Sequence, residues 1–180
     1  MNKKESEILI ARIEKWYAKL PNYFIYNKLP FEAKFGWSKE KVSFKDRLNL
    51  EYKPIKEGDE WGNKWESAWF HLKANMPSEW RGKQIASELD FSGEGLVYDN
   101  RGNEIQGITN ASIWDQNFVR TRVILGKNFI SNGKIEMWVE AAANSLFGVF
   151  TDPDVKEESP KKHGWFDAKV EKMKVGIFDE

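Results

Sequence analysis

The chain has 180 residues and is 41% hydrophobic, enough for one well-cored domain and too apolar for a disordered one. Lys+Arg and Asp+Glu are both 28, so the net charge of +0 gives no overall pull toward nucleic acid or an anionic membrane. With 0 cysteines, a disulfide framework and a thiolate zinc site are excluded, a composition that suits a reducing cytoplasm.

Residues 1–22 read as a helix. Leu9, Ile13, Trp16 and Leu20 fall on one helical face, while Glu14, Lys15 and Lys19 lie off it. Asn2 and Glu5 have capping-box spacing, and Pro21 ends the pattern. The apolar residues of this segment are interleaved with charge, so it is no signal peptide, and no apolar run in the chain is long enough to span a bilayer. One short amphipathic helix is not stable alone. It must dock on this domain or on a missing partner.

Residues 23–56 alternate aromatics with Lys, Pro and Gly. They are expected to form an irregular linking segment with one or two short strands, its Tyr and Phe side chains packed over a sheet edge. Residues 57–180 are expected to form the β-sandwich proper. In "WGNKWESAWFHLKA", Trp61, Trp65 and Trp69 recur at helical spacing, but Gly62 and Asn63 interrupt any helix. From Glu66 the period is two, with Ala68, Phe70, Leu72 and Ala74 on one face. Trp65 and Trp69 then share the other face, and Trp61 belongs to a Gly-flanked loop that leaves it partly exposed.

Further alternating runs are Ile85–Phe91, Val119–Leu125 and Ile135–Ala141, and "GLVYDNRGNEIQGI" reads as a hairpin turning at Gly102. "TDPDVKEESPKKHG" reads as a surface loop, and alternation at Phe166, Ala168 and Val170 returns the chain to the sheet. Short strands separated by Gly, Asn and Asp turns point to an all-β sandwich or barrel. The chain stops without a tail or cap, as a fragment of something longer would.

The sequence carries little recognisable chemistry. His71 and His163 have no partner at zinc-binding spacing and read as solvated or singly hydrogen-bonded histidines. There is no nucleophile elbow and no phosphate loop. Asp90, Glu94, Asp115 and Glu140 could pair for glycoside hydrolysis by residue type, but equally they bind turn amides or surface lysines. What remains is an aromatic and amide set near strand ends: Trp61, Trp65, Glu94, Tyr98, Gln106, Trp114 and Asn144. Such residues hold sugars, and they also dock one domain on another. Nine tryptophans fit either a carbohydrate-handling surface or a sandwich core.

Four segments in series carry a family resemblance. They are Gly58–Phe70 (G-x-x-W-G-x-x-W-x-x-x-W-F), Pro77–Gly82 (P-x-x-W-x-G), Gly93–Thr109 (G-E-G-L-V-Y…Q-G-I-T) and Val139–Gly148 (V-E-x-A-x-N-x-L-F-G). Together they resemble the N-terminal region of family 38 glycoside hydrolases, the cytosolic/vacuolar type of α-mannosidase. Ile108 stands where leucine is usual and Ser145 where glycine is usual. The resemblance implies a mainly β, jelly-roll-like (galactose-binding-like) β-sandwich with an N-terminal α-helix, placed ahead of a zinc-dependent catalytic domain. The family's zinc ligands and aspartate nucleophile lie beyond residue 180, so no catalytic residue or cofactor is carried over to this chain. Expected partners are the enzyme's own catalytic domain, a subunit neighbour in a homo-oligomer, or α-mannoside sugars. A flat apolar patch favours docking, a concave aromatic groove favours sugar, and a self-sufficient small glycosidase is a third reading.

Overall fold

The structure is a computed structural model that describes residues 3–17, 19–20, 23–63, 66–109, 119–143 and 168–179. Helix α1 spans Lys3–Tyr17. The strands are β1 (Ile25–Pro30), β2 (Glu32–Ser38), β3 (Tyr52–Ile55), β4 (Ser67–Asn75), β5 (Ile85–Asp90), β6 (Glu94–Tyr98), β7 (Glu104–Thr109), β8 (Arg122–Ile124), β9 (Ile130–Ser131), β10 (Lys134–Ala142) and β11 (Lys172–Phe178). The smaller sheet runs β1-β11-β5-β8 and the larger β3-β2-β4-β10-β6-β7, with β9 pairing the start of β10. In β1 and β11, Ile25 lies opposite Phe178.

Alternation determines which side chains fill the space between the sheets. Phe70 and Leu72 of β4, Leu89 of β5, Val123 of β8 and Met137 and Val139 of β10 are fully buried, as the period of two predicts. The hairpin turns where expected. Gly102 has φ of +87°, and Asp99 closes the turn by accepting the Arg101 and Asn103 amides at 2.9 and 3.0 Å.

Four expectations are corrected. The linking segment contributes three strands: β1 and β3 each form a sheet edge and β2 lies between β3 and β4, with β1 and β2 six and seven residues long. A register shift between Tyr26 and Leu29, with Asn27 at φ +51°, breaks the alternation of β1, so no long period was visible. Trp61, expected to be partly exposed, is 2% exposed. Its loop is held by the Glu60–Lys169 bridge, and its backbone N–H donates to Ala168 O at 2.8 Å. The Val119–Leu125 run narrows to Arg122–Ile124, and Val119 is 53% exposed. Ala168 and Val170 are buried as expected, but the returning strand lies after them, at Lys172–Phe178. There Met173, Val175 and Ile177 face inward, so the inward parity changes between Val170 and Met173.

Helix α1 forms as the spacing predicts but buries no residue against the sandwich. Asn2 of the expected capping box lies outside the described residues, as do His163, the Thr151–Gly164 loop and Phe166.

Candidate functional site

The larger sheet is covered on both faces. Its outer face holds a second apolar cluster of Trp69, Tyr98 and Trp138, packed under Val42, Phe44, Leu50 and Tyr52. The segment between β2 and β3 therefore folds back as a cover. The Trp69 indole donates to Val42 O at 2.8 Å, and the Tyr52 hydroxyl donates to Arg47 O at 3.0 Å. Gly36 lies beneath this cover, where an added Cβ would come within 2.8 Å of Leu50 Cβ. Arg47 is buried, its guanidinium 3.6 Å from the Phe44 ring centre and 4.1 Å from that of Trp138, and it donates to Phe44 O. Burial lowers its pKa, against the opposing influence of Tyr52.

Titratable groups ring this cluster. His71 stacks on Trp138 with ring centres 3.8 Å apart, and its Nε2 lies 2.6 Å from Glu136 Oε1. Burial holds His71 below its ordinary value, outweighing the Glu136 bond that raises it. Burial would raise Glu136, but hydrogen bonds from His71 and Lys73 leave it lowered. Burial pushes Tyr98 up to about 12, with the neighbouring Glu140 and Glu104 adding to it. Burial also raises Glu140, which accepts the Tyr98 hydroxyl at 3.3 Å. The pocket lined by Glu32, Lys34, His71 and Lys73 encloses about 80 Å³, small beside the roughly 300–1,000 Å³ of ligand clefts.

The residues singled out in the sequence separate accordingly. Trp61 is a core residue, its indole donating to Phe91 O at 2.8 Å and its ring edge-on to Phe70 at 5.6 Å. Tyr98 belongs to the covered outer cluster, stacked on Phe44 at 5.3 Å. Gln106 donates to Arg122 O at 2.7 Å, tying β7 of one sheet to β8 of the other. Glu94 starts β6, opposite Ala142 and Thr109. Asp90 accepts the Ser92 amide at 2.9 Å, a turn contact. Trp65, Trp114, Asn144 and Asp115 lie outside the described residues. Ser67, Thr109 and Ala142 lie at one end of the larger sheet, where Ser67 pairs Ala142 and Glu94 pairs Thr109.

Sequence reasoning missed Arg47 and Phe44, which lie between strands where no period runs, Trp138, which alternation places on the outer face of β10, and Trp37. Trp37 sits at that same end of the sheet, 46% exposed. Its indole donates to Glu66 Oε2 at 2.7 Å, and the same oxygen accepts the Asn63 backbone N–H at 2.7 Å and Nδ2 at 3.1 Å. The Trp37 bond is the main reason the Glu66 pKa is lowered, with the Asn63 bonds next. Among the described residues, no group of three or more His, Asp or Glu is placed to hold a metal ion, and no helix is long and apolar enough to cross a membrane.

Two antiparallel sheets enclosing one core, with a helix ahead of them, define a jelly-roll β-sandwich. A Ruminococcus gnavus β-glucuronidase structure shares this fold with a TM-score of 0.50 and 14% identity, over 84% of this chain and 28% of that one. Residues 29–170 match the family described as "Alpha-mannosidase, jelly roll domain", and the chain belongs to that family. It is 31% identical to "Alpha-mannosidase G" of Dictyostelium discoideum over 160 residues, covering 83% of this chain and 14% of that protein. It is 25% identical to "Alpha-mannosidase 2C1" of Homo sapiens over 123 residues, covering 68% of this chain and 11% of that protein. The chain therefore spans about a seventh and a ninth of those relatives' lengths.

Proposed function

We propose that this chain is the non-catalytic N-terminal domain of a family 38 α-mannosidase, a cytoplasmic retaining enzyme that hydrolyses terminal α-mannosides, and that it docks on the catalytic domain or a subunit neighbour. Docking rests on α1. Leu9, Ile13 and Trp16 form one stripe and are 45%, 57% and 64% exposed. An isolated helix of 15 residues is marginal in water, and covering such a stripe is what would stabilise it. The aromatic residues that could have made a sugar groove, Trp61 and Tyr98, are instead enclosed by this domain's own chain. In this reading the zinc and the nucleophile that the family resemblance implies belong to the remainder of the enzyme.

Two measurements test this reading. The 180-residue chain, supplied with zinc and an aryl α-mannoside, is expected to show no turnover above buffer; turnover that survives repurification overturns the non-catalytic assignment. Amide hydrogen exchange in α1 is expected to be fast in the isolated chain and slow in the full-length enzyme. Equally fast exchange in both overturns docking through α1.

A further inference from the structure

Trp37 follows the inward parity of β2, set by Ala33 and Phe35, and Glu66 follows that of β4, set by Ala68 and Phe70. Both have run past the end of the core, so they stand at the mouth of the sandwich. Trp37 pairs Ala68 across the strands, and its neighbours there are Ser38, Asn63, Glu66 and Ser67. The exposed apolar side chains of α1 belong to a different element, and among the described residues the side chains bonded to or beside the indole are mainly polar. A protein-docking centre looks different, with apolar anchors grouped and ringed by residues that exclude water.

The corner is also fixed before anything binds. The Glu66 backbone N–H donates to Asn63 O at 3.1 Å, and its carbonyl accepts the Ala143 N–H at 2.9 Å. Its carboxylate already holds the Trp37 indole and the Asn63 amide through Oε2. Gly62 packs beside the ring, with an added Cβ only 3.6 Å from Trp37 Cδ1. The ring and the carboxylate therefore lose little freedom on binding. Because the indole N–H is already used, what the exposed part of the ring offers a ligand is apolar contact. An ionised carboxylate accepts hydrogen bonds and donates none.

We propose that Trp37, Asn63 and Glu66 form a pyranoside-binding site, in which the C–H face of a neutral hexopyranose stacks on Trp37 and its hydroxyls donate to Glu66 and accept from Asn63. A sugar ring is the ligand that pairs an apolar face with an edge of hydroxyl donors. The assignment is independent of docking through α1, and the two fail separately: exchange in α1 reports on one, the Trp37 indole on the other.

The test is a titration of the isotope-labelled 180-residue chain with methyl α-mannopyranoside, followed at the indole N–H signals. The expected result is a saturable shift of the Trp37 indole and the Asn63 amide in the millimolar range. Trp37→Ala removes the shift at Asn63. Glu66→Gln, which keeps the shape but removes the charge, weakens binding about tenfold. Both variants are checked for a cooperative unfolding transition, so that lost binding is read only from folded protein. No saturable shift at the Trp37 indole with the α-mannoside, the corresponding glucoside or the galactoside overturns the proposal. So does a Trp37 signal that ignores sugars but moves when the remainder of the enzyme is added, which assigns the corner to a protein contact.

Discussion

His71 and Glu136 show how a polar pair on a sheet face ties stability to pH. His71 is held below its ordinary value of 6.5 by burial, and Glu136 lies below its ordinary 4.5 through bonds from His71 and Lys73. In the unfolded chain both titrate at their ordinary values. As pH falls below 6.5 the unfolded state takes up a proton that folded His71 resists, so stability is highest above 6.5 and declines below it. Glu136 adds a decline of the same sign below 4.5. Urea midpoints are expected to fall in two limbs, and His71→Gln is expected to remove the upper one; a midpoint that stays flat from neutrality to the carboxylate range contradicts this. At this scale the sequence was legible where burial follows a local period, as at Phe70, Leu72 and Val139. It was not legible at Trp61, whose loop is held by the Glu60–Lys169 bridge, nor at Arg47, which is held between its near neighbour Phe44 and the distant Trp138.

Among the elements, β4 and β10 could be read directly because each keeps nine residues in unbroken alternation. The β6–β7 hairpin was legible through its turn residues. β1 was hidden by its bulge and β11 by the change of parity before it, since neither leaves a period long enough to count. The cover over the outer face was legible only as aromatic side chains expected over a sheet edge: it has no repeating pattern, and its apolar residues meet the sheet in three dimensions. It is coupled to the hairpin through Gly102. A Cβ there would lie 2.7 Å from Phe44 Cε1, on a backbone at φ +87°. Gly102→Ala is expected to destabilise by about 1–2 kcal/mol from the left-handed backbone alone, and to speed amide exchange between Lys41 and Tyr52 as Phe44 is displaced. A lowered midpoint with unchanged exchange in that segment would separate the turn from the cover.

For the molecule as a whole, family motifs in series gave the fold and the α-mannosidase relationship, because they mark turns and strand ends that the jelly roll requires. The proposed docking of α1 could not be read from the sequence, because no pattern within one chain records a partner. The larger sheet buries both faces while the smaller one buries mainly its inner face, so the sandwich is built on one doubly protected layer. The pairing of Ile25 with Phe178 brings the two ends of the sandwich side by side, about 5 Å apart between Cα atoms. A cassette whose entry and exit adjoin can be carried in a host loop without spreading the host's strands, and it can be reconnected in a different order. Residues 23–179 closed by a short Gly-Ser bridge and reopened at the exposed Arg81–Lys83 turn, where Gly82 has no neighbour within 4 Å of a Cβ, are expected to refold cooperatively around the same buried residues. Loss of a cooperative unfolding transition in that permutant would mean that the order of synthesis, rather than the closed shape, dictates how the two sheets find each other.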